Sequence, residues 1–476
     1  MSGRSLDYVI IAVYLIGIAV FGIISGGKQR TVKDYFLGSK TVPWWAVCFS
    51  IVAAETSSLT FISIPGLSYL TNLNFLQITF GYLIGRIIVA VWFLPAYYKG
   101  ELKTAYTFLE TRFGNKTRNY ASVVFLVTRT AADGVRLFAT AIPLKLLLNI
   151  EYPAAIIIIA AVSLIYTYTG GVKGIIWVDV IQMFIYIFGA LLAGFFILNL
   201  LPDGWNSVAY AASGSDKFQV LNLGLSGSIK SFFDKPYTLI GGIAGGAFLS
   251  MASHGTDQLI VQRLLAAKDL KDSKKAVIGS GLIIIFQFAL FLVLGVMLYA
   301  YYGSINMKPD EIFPNFIIHV LPPGVSGIII AGLFAAAMST LAGSMSSLSS
   351  STMMDLLQPV WGSKVDKLSV SRFITIFWAA VLVLSAVFFM NTSTAVVELA
   401  LSIASFTYGG LLGTFLLGLF TKRTSQTNAL FGFSLGILVM VFIISFKLTA
   451  WTWFTFIGVA VTLLTGYLSS LFTKRI

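Results

Sequence analysis

Apolar runs of about 20 residues, separated by short polar turns, recur from residue 6 to the end of the chain. At 1.5 Å of rise per helical residue, each matches the roughly 30 Å hydrocarbon core of a bilayer. The pattern predicts thirteen membrane-crossing helices, at roughly 6–26, 46–70, 74–98, 118–149, 153–170, 173–201, 237–262, 276–302, 325–354, 370–390, 394–420, 427–446 and 449–472. The stretch before the first span lacks the basic region and small-residue cleavage site of a secretory signal, so the span is read as retained. The loop 99–117 reads as a short amphipathic surface helix.

Two spans break the apolar pattern. The second carries Glu55, the hydroxyls of Thr56, Ser57, Ser58, Thr60 and Ser63, and then Pro65-Gly66. Unpaired backbone groups are costly in lipid, so a polar, helix-breaking run at that depth predicts a binding site within a discontinuous helix. The seventh span is rich in Gly and Ser and ends in His254-Gly-Thr-Asp257. It lies five spans after the second. Five is odd, so a repeat of spans 2–6 in spans 7–11 has inverted topology, with the site between the paired broken helices. The expected divisions are a leading helix and loop at 1–45, a first repeat at 46–201, a loop at 202–236, a second repeat at 237–420 and two trailing helices at 421–476. The fold class is an all-α polytopic membrane protein.

Composition agrees: 57% of residues are hydrophobic and 11% charged, against about 25% charged in soluble domains. The net charge of +13 raises the question of nucleic acid, but its distribution answers it. With the N-terminus outside, 22 of 32 Lys and Arg fall in inside loops and the tail, 6 fall outside, and Arg86, Arg129, Arg136 and Lys145 lie at or within spans. That skew is the positive-inside rule and predicts N-out, C-in. A single cysteine, Cys48, and two histidines leave no disulfide framework and make a zinc or iron site improbable. No nucleophile–base set or phosphate loop supports an enzyme. A channel lacks a ring of filter residues. A proton-coupled carrier using Glu55, Asp133 or Asp179 is the remaining alternative.

Ala336, Ser339 and Thr340 sit at i, i+3 and i+4, which brings two hydroxyls beside the Ala336 carbonyl on one helix face. An unwound second span adds the carbonyls of Ala53 and Thr56. Five neutral oxygens suit a hard monovalent cation, with Asp179 as the nearest counter-charge. A packing face of small residues competes with this reading. Arg129, Asp133 and Arg136 share one face of the fourth span and predict a salt-bridged set, with Arg136 on substrate as the alternative.

Several stretches resemble the sodium:solute symporter family, which includes sodium–glucose, proline, sialic acid and monocarboxylate transporters. They are Asp34-Tyr-Phe-Leu-Gly38, Glu55-Thr-Ser-Ser-Leu-Thr-Phe61, Trp177-Val-Asp-Val-Ile-Gln182, Gly255-Thr-Asp-Gln-Leu-Ile-Val-Gln-Arg263 and Ala335-Ala-Ala-Met-Ser-Thr340, within a similarity covering about residues 5–425. The resemblance implies a leucine-transporter-like fold of inverted five-helix repeats with one leading helix. It also implies a sodium site using the carbonyls of Ala53, Thr56 and Ala336 and the hydroxyls of Ser339 and Thr340, close to Asp179. Where some relatives hold a second sodium with two further serines, this chain has Ala342 and Gly343, so one coupled sodium is expected. The arginine that holds the carboxylate in the sialic acid branch corresponds to Asp133 or its neighbourhood, and a glutamine to Thr79, so sialic acid by that mode is not expected. The substrate contacts expected are Ser57 and Thr60, then Glu55, Thr79 and Ser402, with Asp133 and Arg136 from the fourth span. Glu55 paired with an arginine such as Arg86 is the structural alternative.

The expected function is sodium-coupled symport of a small polar solute (a sugar, polyol, small acid or zwitterion) by a monomer in the plasma membrane. The charge pattern makes a direct prediction. In a Cys48→Ala background, a membrane-impermeant maleimide applied to intact cells should label Ser215→Cys and leave Lys274→Cys unlabelled until the membrane is opened. The reverse result would invert the topology.

Overall fold

A computed structural model describes residues 4–473 apart from 101, 149, 226–227 and 392–395; the side chains of 142–143, 146–148, 363, 391, 396–402 and 404 also lie outside the described set. The described chain is helical, and its one β-type contact is a parallel bridge between Val42 and Ala267. The main helices in chain order are α1 (Ser5–Gly26), α2 (Trp44–Glu55), α3 (Ser58–Leu70), α4 (Leu76–Lys99), α5 (Asn115–Leu148), α6 (Tyr152–Leu200), α7 (Leu239–Gly255), α8 (Gln258–Leu265), α9 (Leu270–Tyr302), α10 (Val325–Ser351), α11 (Leu368–Phe388), α12 (Val396–Phe420), α13 (Gln426–Ser445) and α14 (Phe454–Phe472). The short helix Ala105–Phe113 matches the amphipathic segment expected at 99–117, burying Tyr106 and Leu109.

Among the described residues eight helices are long and apolar enough to cross a membrane, or nine with α2 and α3 taken as one bent span. Helices and expected spans do not correspond one to one, for two reasons. The fifth and sixth expected spans run together as α6, whose 49 residues would reach about 74 Å if straight, more than twice a bilayer. A turn at Gly171, with φ +56, divides it, and a Cβ there would meet the Tyr35 carbonyl at 2.6 Å, so glycine is required twice over. The seventh expected span is split at Thr256–Asp257 into α7 and α8, with the Asp257 side chain accepting from the Leu259 N–H to cap α8.

The second expected span is broken, but at one place only. α2 ends at Glu55 and α3 starts at Ser58, and the two halves meet at 65°. Thr56 and Ser57 between them are extended. Pro65-Gly66 does not interrupt the helix, contrary to expectation: both lie inside α3. Gly66 packs against the backbone of Pro309, and Ser68 Oγ reaches across to the Leu292 carbonyl at 2.6 Å, holding α3 on α9.

α10 is the most enclosed of the long helices described, with almost every residue from Ser326 to Ser351 buried, and it lies along α6. Small side chains let neighbours approach closely on all sides. α4 and α10 both pass through a π-turn just ahead of a proline: Val89–Phe93 before Pro95, and Thr352–Leu357 before Pro359. The wider turn accommodates the missing proline N–H without ending the helix. α4 also packs on α7 through glycines, and a Cβ on Gly81 would stand 2.5 Å from the Ile243 carbonyl. Gly81→Leu should therefore force this pair apart and destabilise the protein by about 1–3 kcal/mol, read as a lower melting temperature in detergent; an unchanged melting curve would contradict the packing.

Candidate functional site

The break between α2 and α3 frees backbone acceptors. The last bond of α2 runs from the Thr56 N–H to the Val52 carbonyl at 3.0 Å, and among the described residues no backbone N–H pairs with the carbonyls of Ala53 or Thr56. Ser57 caps α3 by accepting from the Thr60 N–H at 3.4 Å. The Thr56 hydroxyl donates to Val52 O at 2.8 Å and accepts from Gln287 Nε2 at 2.6 Å and Tyr186 OH at 3.2 Å. Gln287 on α9 and Tyr186 on α6 thus pin the break from two sides, a role the sequence motifs did not reveal.

α10 faces this break. Thr340 Oγ1 lies 3.3 Å from the Ala336 carbonyl and 3.4 Å from that of Ala54, and Ser339 Oγ donates to Asp179 Oδ1 at 2.6 Å. Ser339 thus turns its proton to Asp179, whereas the Thr340 proton lies on the Ala336 or Ala54 carbonyl, so a cation here takes the place of that hydrogen bond and uses the freed oxygen lone pairs. The donors are carbonyl and hydroxyl oxygens, the set a hard monovalent ion takes. Of the expected ligands, Ala336, Ser339, Thr340 and Asp179 are in mutual contact or share partners, and Ala53 and Thr56 present their free carbonyls at the same break.

Asp179 is not a free counter-charge. Its Oδ2 accepts from Ser50 Oγ at 2.5 Å and pairs with Arg263 Nη2 at 3.0 Å. Arg263 Nε also donates to Ser50 Oγ at 2.9 Å and its Nη1 to Leu259 O at 2.8 Å. Arg263 falls among the basic loop residues by charge counting, yet it is 2% exposed and belongs to α8. A Cβ on Gly343 would meet its Nη2 at 2.6 Å. Beside Ala342 and Gly343, which carry no side-chain oxygen, a fixed guanidinium already supplies positive charge.

Beyond Thr340, Ser57, Thr140, Arg136 and Leu341 line a narrow pocket of about 10 Å³, room for about one water molecule. As expected, Arg129, Asp133 and Arg136 form a salt-bridged set: Asp133 pairs with Arg129 Nε at 2.6 Å and Arg136 Nη1 at 3.2 Å. Asp257 joins it through Arg129 Nη1 at 3.1 Å and accepts from Tyr408 OH at 2.8 Å, while Ser344 Oγ donates to Asp133. A second pocket, of about 20 Å³, is lined by Thr128, Asp257, Thr407 and Tyr408. Arg136 lines both, so the salt-bridged set borders two narrow pockets.

The other expected contacts sit off these walls. Glu55 turns to Arg86, which also donates to Ser280 Oγ at 2.8 Å, and His254 Nε2 approaches Glu55 to 3.8 Å. This is the structural alternative for Glu55. Thr79 is buried and spends its hydroxyl on the Leu76 carbonyl at 2.7 Å. Thr60 is half-buried behind the Ser57 cap. The Ser402 side chain lies outside the described residues.

Comparison with known proteins identifies the family and the fold. The model of the Sodium:solute symporter family matches residues 35–436. A sodium/sialic acid symporter of Aliivibrio fischeri is 27% identical over 98% of this chain and 94% of that protein. Sodium-coupled monocarboxylate transporter 2 of Bos taurus is 27% identical over 91% of this chain and 71% of that protein. A solved sodium-coupled sialic acid symporter superposes with a TM-score of 0.90 at 26% identity, over 99% of this chain and 98% of that one. A nucleobase-cation-symport-1 transporter shares the fold, with a TM-score of 0.61 at 13% identity over 92% and 93%. The architecture is thus the leucine-transporter-like one.

The ion pair beneath the site can be tested by itself. Arg263→Met leaves Asp179 buried without its partner, a loss of about 3–5 kcal/mol, and should abolish folded protein in detergent. Adding Asp179→Asn should recover much of it, because the stranded charge is gone. A single variant as stable as the parent would refute the lock.

Proposed function

The chain belongs to the sodium:solute symporter family, and from that premise we propose that one sodium ion binds where the break between α2 and α3 meets α10. It is a multi-pass membrane protein and a sodium-coupled symporter, not an enzyme. In our reading the ion takes the carbonyls of Ala53, Thr56 and Ala336 and the hydroxyls of Ser339 and Thr340. Asp179, held by Arg263 and Ser50, orients Ser339 instead of ligating as a free carboxylate. The observation that carries this is the break itself: among the described residues no backbone N–H pairs with the Ala53 or Thr56 carbonyl, and Thr340 on the continuous α10 stands 3.4 Å from the neighbouring Ala54 carbonyl. A single ion is favoured because Arg263 lies against Gly343.

The solute proposed is a small organic acid or zwitterion whose carboxylate meets Arg136 and the hydroxyls of Ser57 and Thr140. Buried charge supports this. Glu55 balances Arg86, Asp179 balances Arg263, and Asp133 with Asp257 balances Arg129 with Arg136. Among these pairs, adding one sodium leaves one positive charge in excess, and a monocarboxylate cancels it; the buried Asp355 lies outside the set and is held by the hydroxyls of Thr104, Ser122 and Ser351. The named relatives carry sialic acid and monocarboxylates. Arg136 lies three residues beyond Asp133, so the carboxylate would shift by about one helical turn from the sialic acid mode.

Sodium tightens the break and so fixes residues 55–60 against α10; the solute then binds a formed site, and each ligand raises the other's affinity equally. One sodium crossing 100 mV yields ~2.3 kcal/mol and a tenfold gradient ~1.4, enough for a roughly several-hundred-fold solute gradient. Monomeric function, a plasma-membrane location and N-out, C-in orientation complete the proposal.

A thermal-shift screen tests it. Carboxylates should stabilise the purified protein in sodium but not in choline, by up to about 2.7 kcal/mol at a hundredfold excess over Kd. Ser339→Ala and Thr340→Ala should each raise the sodium concentration needed by about tenfold. Stabilisation by neutral sugars alone would overturn the solute class, and an unchanged sodium requirement in both variants would overturn the ion site.

A further inference from the structure

The cation-rich end of the bundle holds a feature that transport does not use. Lys271, Lys274, Lys275, Ile278 and Leu282 fall at intervals of three and four and line one face of α9. With Trp44, at the start of α2, they form an open groove of about 890 Å³. Its chemistry changes along its length. The three lysines crowd the first turns of α9, and the apolar wall of Ile278 and Leu282 follows one to two turns deeper, where the helix enters the hydrocarbon.

The floor is Gly279, where α9 comes closest to α2: a Cβ there would meet Cys48 Sγ at 3.2 Å. Lys271 and Lys275 are exposed, Lys274 is half-buried, and none forms an ion pair among the described residues. Lys275 Nζ stands 5.8 Å from the Trp44 ring. Asp269 also borders the groove, but its Oδ1 accepts from the Asp272 N–H at 2.8 Å as the cap of α9. Trp44 is 39% exposed and Leu282 48%, so the apolar length of the groove opens outward rather than into the protein.

We propose that this groove binds one anionic phospholipid, its phosphate among Lys271, Lys274 and Lys275 and an acyl chain along Ile278 and Leu282 over Gly279. Basic pockets between helices at the membrane surface recognise anionic headgroups, and tryptophan prefers that depth. A soluble phosphate would use the lysines but not the apolar wall. The lipid would bridge α9 to α2, the helix whose far end carries the break at Thr56, so occupancy bears directly on the element that sodium fixes.

The experiment is native mass spectrometry of the purified full chain in detergent, titrated with dioleoylphosphatidylglycerol or dioleoylphosphatidylcholine. One phosphatidylglycerol should remain bound at concentrations where phosphatidylcholine is lost. Lys271→Gln/Lys274→Gln/Lys275→Gln should weaken it on the order of tenfold or more. A charge-matched control, Lys364→Gln/Lys367→Gln/Lys422→Gln, should not, and lipid-free melting curves should show both variants folded. Equal retention in the two triple variants, equal binding of phosphatidylcholine, or full competition by sn-glycerol 3-phosphate at the same concentration as the lipid would each overturn the proposal.

Discussion

A backbone carbonyl inside a bilayer must find a partner. Among the described residues, Ala53 and Thr56 offer acceptors at the break that no amide satisfies. Lipid offers no donors, so such acceptors are costly until a donor or a cation meets them. The rest of the site follows from that imbalance. Gln287 and Tyr186 keep the break from closing into regular helix, Ser57 caps what comes after it, and α10 brings Thr340 to within 3.4 Å of Ala54 O. A cation that satisfies those oxygens joins two helices that otherwise share few strong contacts there, which is the physical content of coupling.

The neighbouring charges are arranged so that the cation is the one unbalanced addition. The carboxylates nearest the break are paired: Asp179 has Arg263, Glu55 has Arg86, and Asp133 and Asp257 share Arg129, whereas the buried Asp355 is held by the hydroxyls of Thr104, Ser122 and Ser351. Such pairs contribute little net stability, but removing one partner is severe. They serve position instead. Arg263 and Ser50 hold Asp179 so that Ser339 points its proton away from the ion path. The set around Asp133 ties α5 to the start of α8 through Asp257 and to α10 through Ser344.

Much of this was legible in the sequence, for identifiable reasons. Span positions follow from apolar length, and the break follows from hydroxyls and a carboxylate where lipid tolerates neither. The i, i+3, i+4 spacing of Ala336, Ser339 and Thr340 survives directly because α10 is regular. The failures have physical causes as well. Pro65-Gly66 reads as a second interruption, but Gly66 serves close contact with Pro309 and the helix runs through. Arg263 reads as a loop cation because hydropathy ends there, whereas α8 carries it back into the interior. Gln287 and Tyr186 belong to no motif; only the three-dimensional meeting of α6 and α9 with Thr56 gives them meaning. Thr79 matches a ligand position by alignment, yet its hydroxyl is satisfied on its own helix.

The two π-turns ahead of Pro95 and Pro359 each hold one residue more than the α-turn they replace. That residue is slack stored in a rod. If a turn relaxes to α geometry, the extra residue passes along the helix and everything beyond it swivels by about 100° and advances about 1.5 Å. α4 and α10 therefore carry built-in swivels at the same offset before a proline, and their ends can be re-aimed without unwinding the lengths that line the ion path.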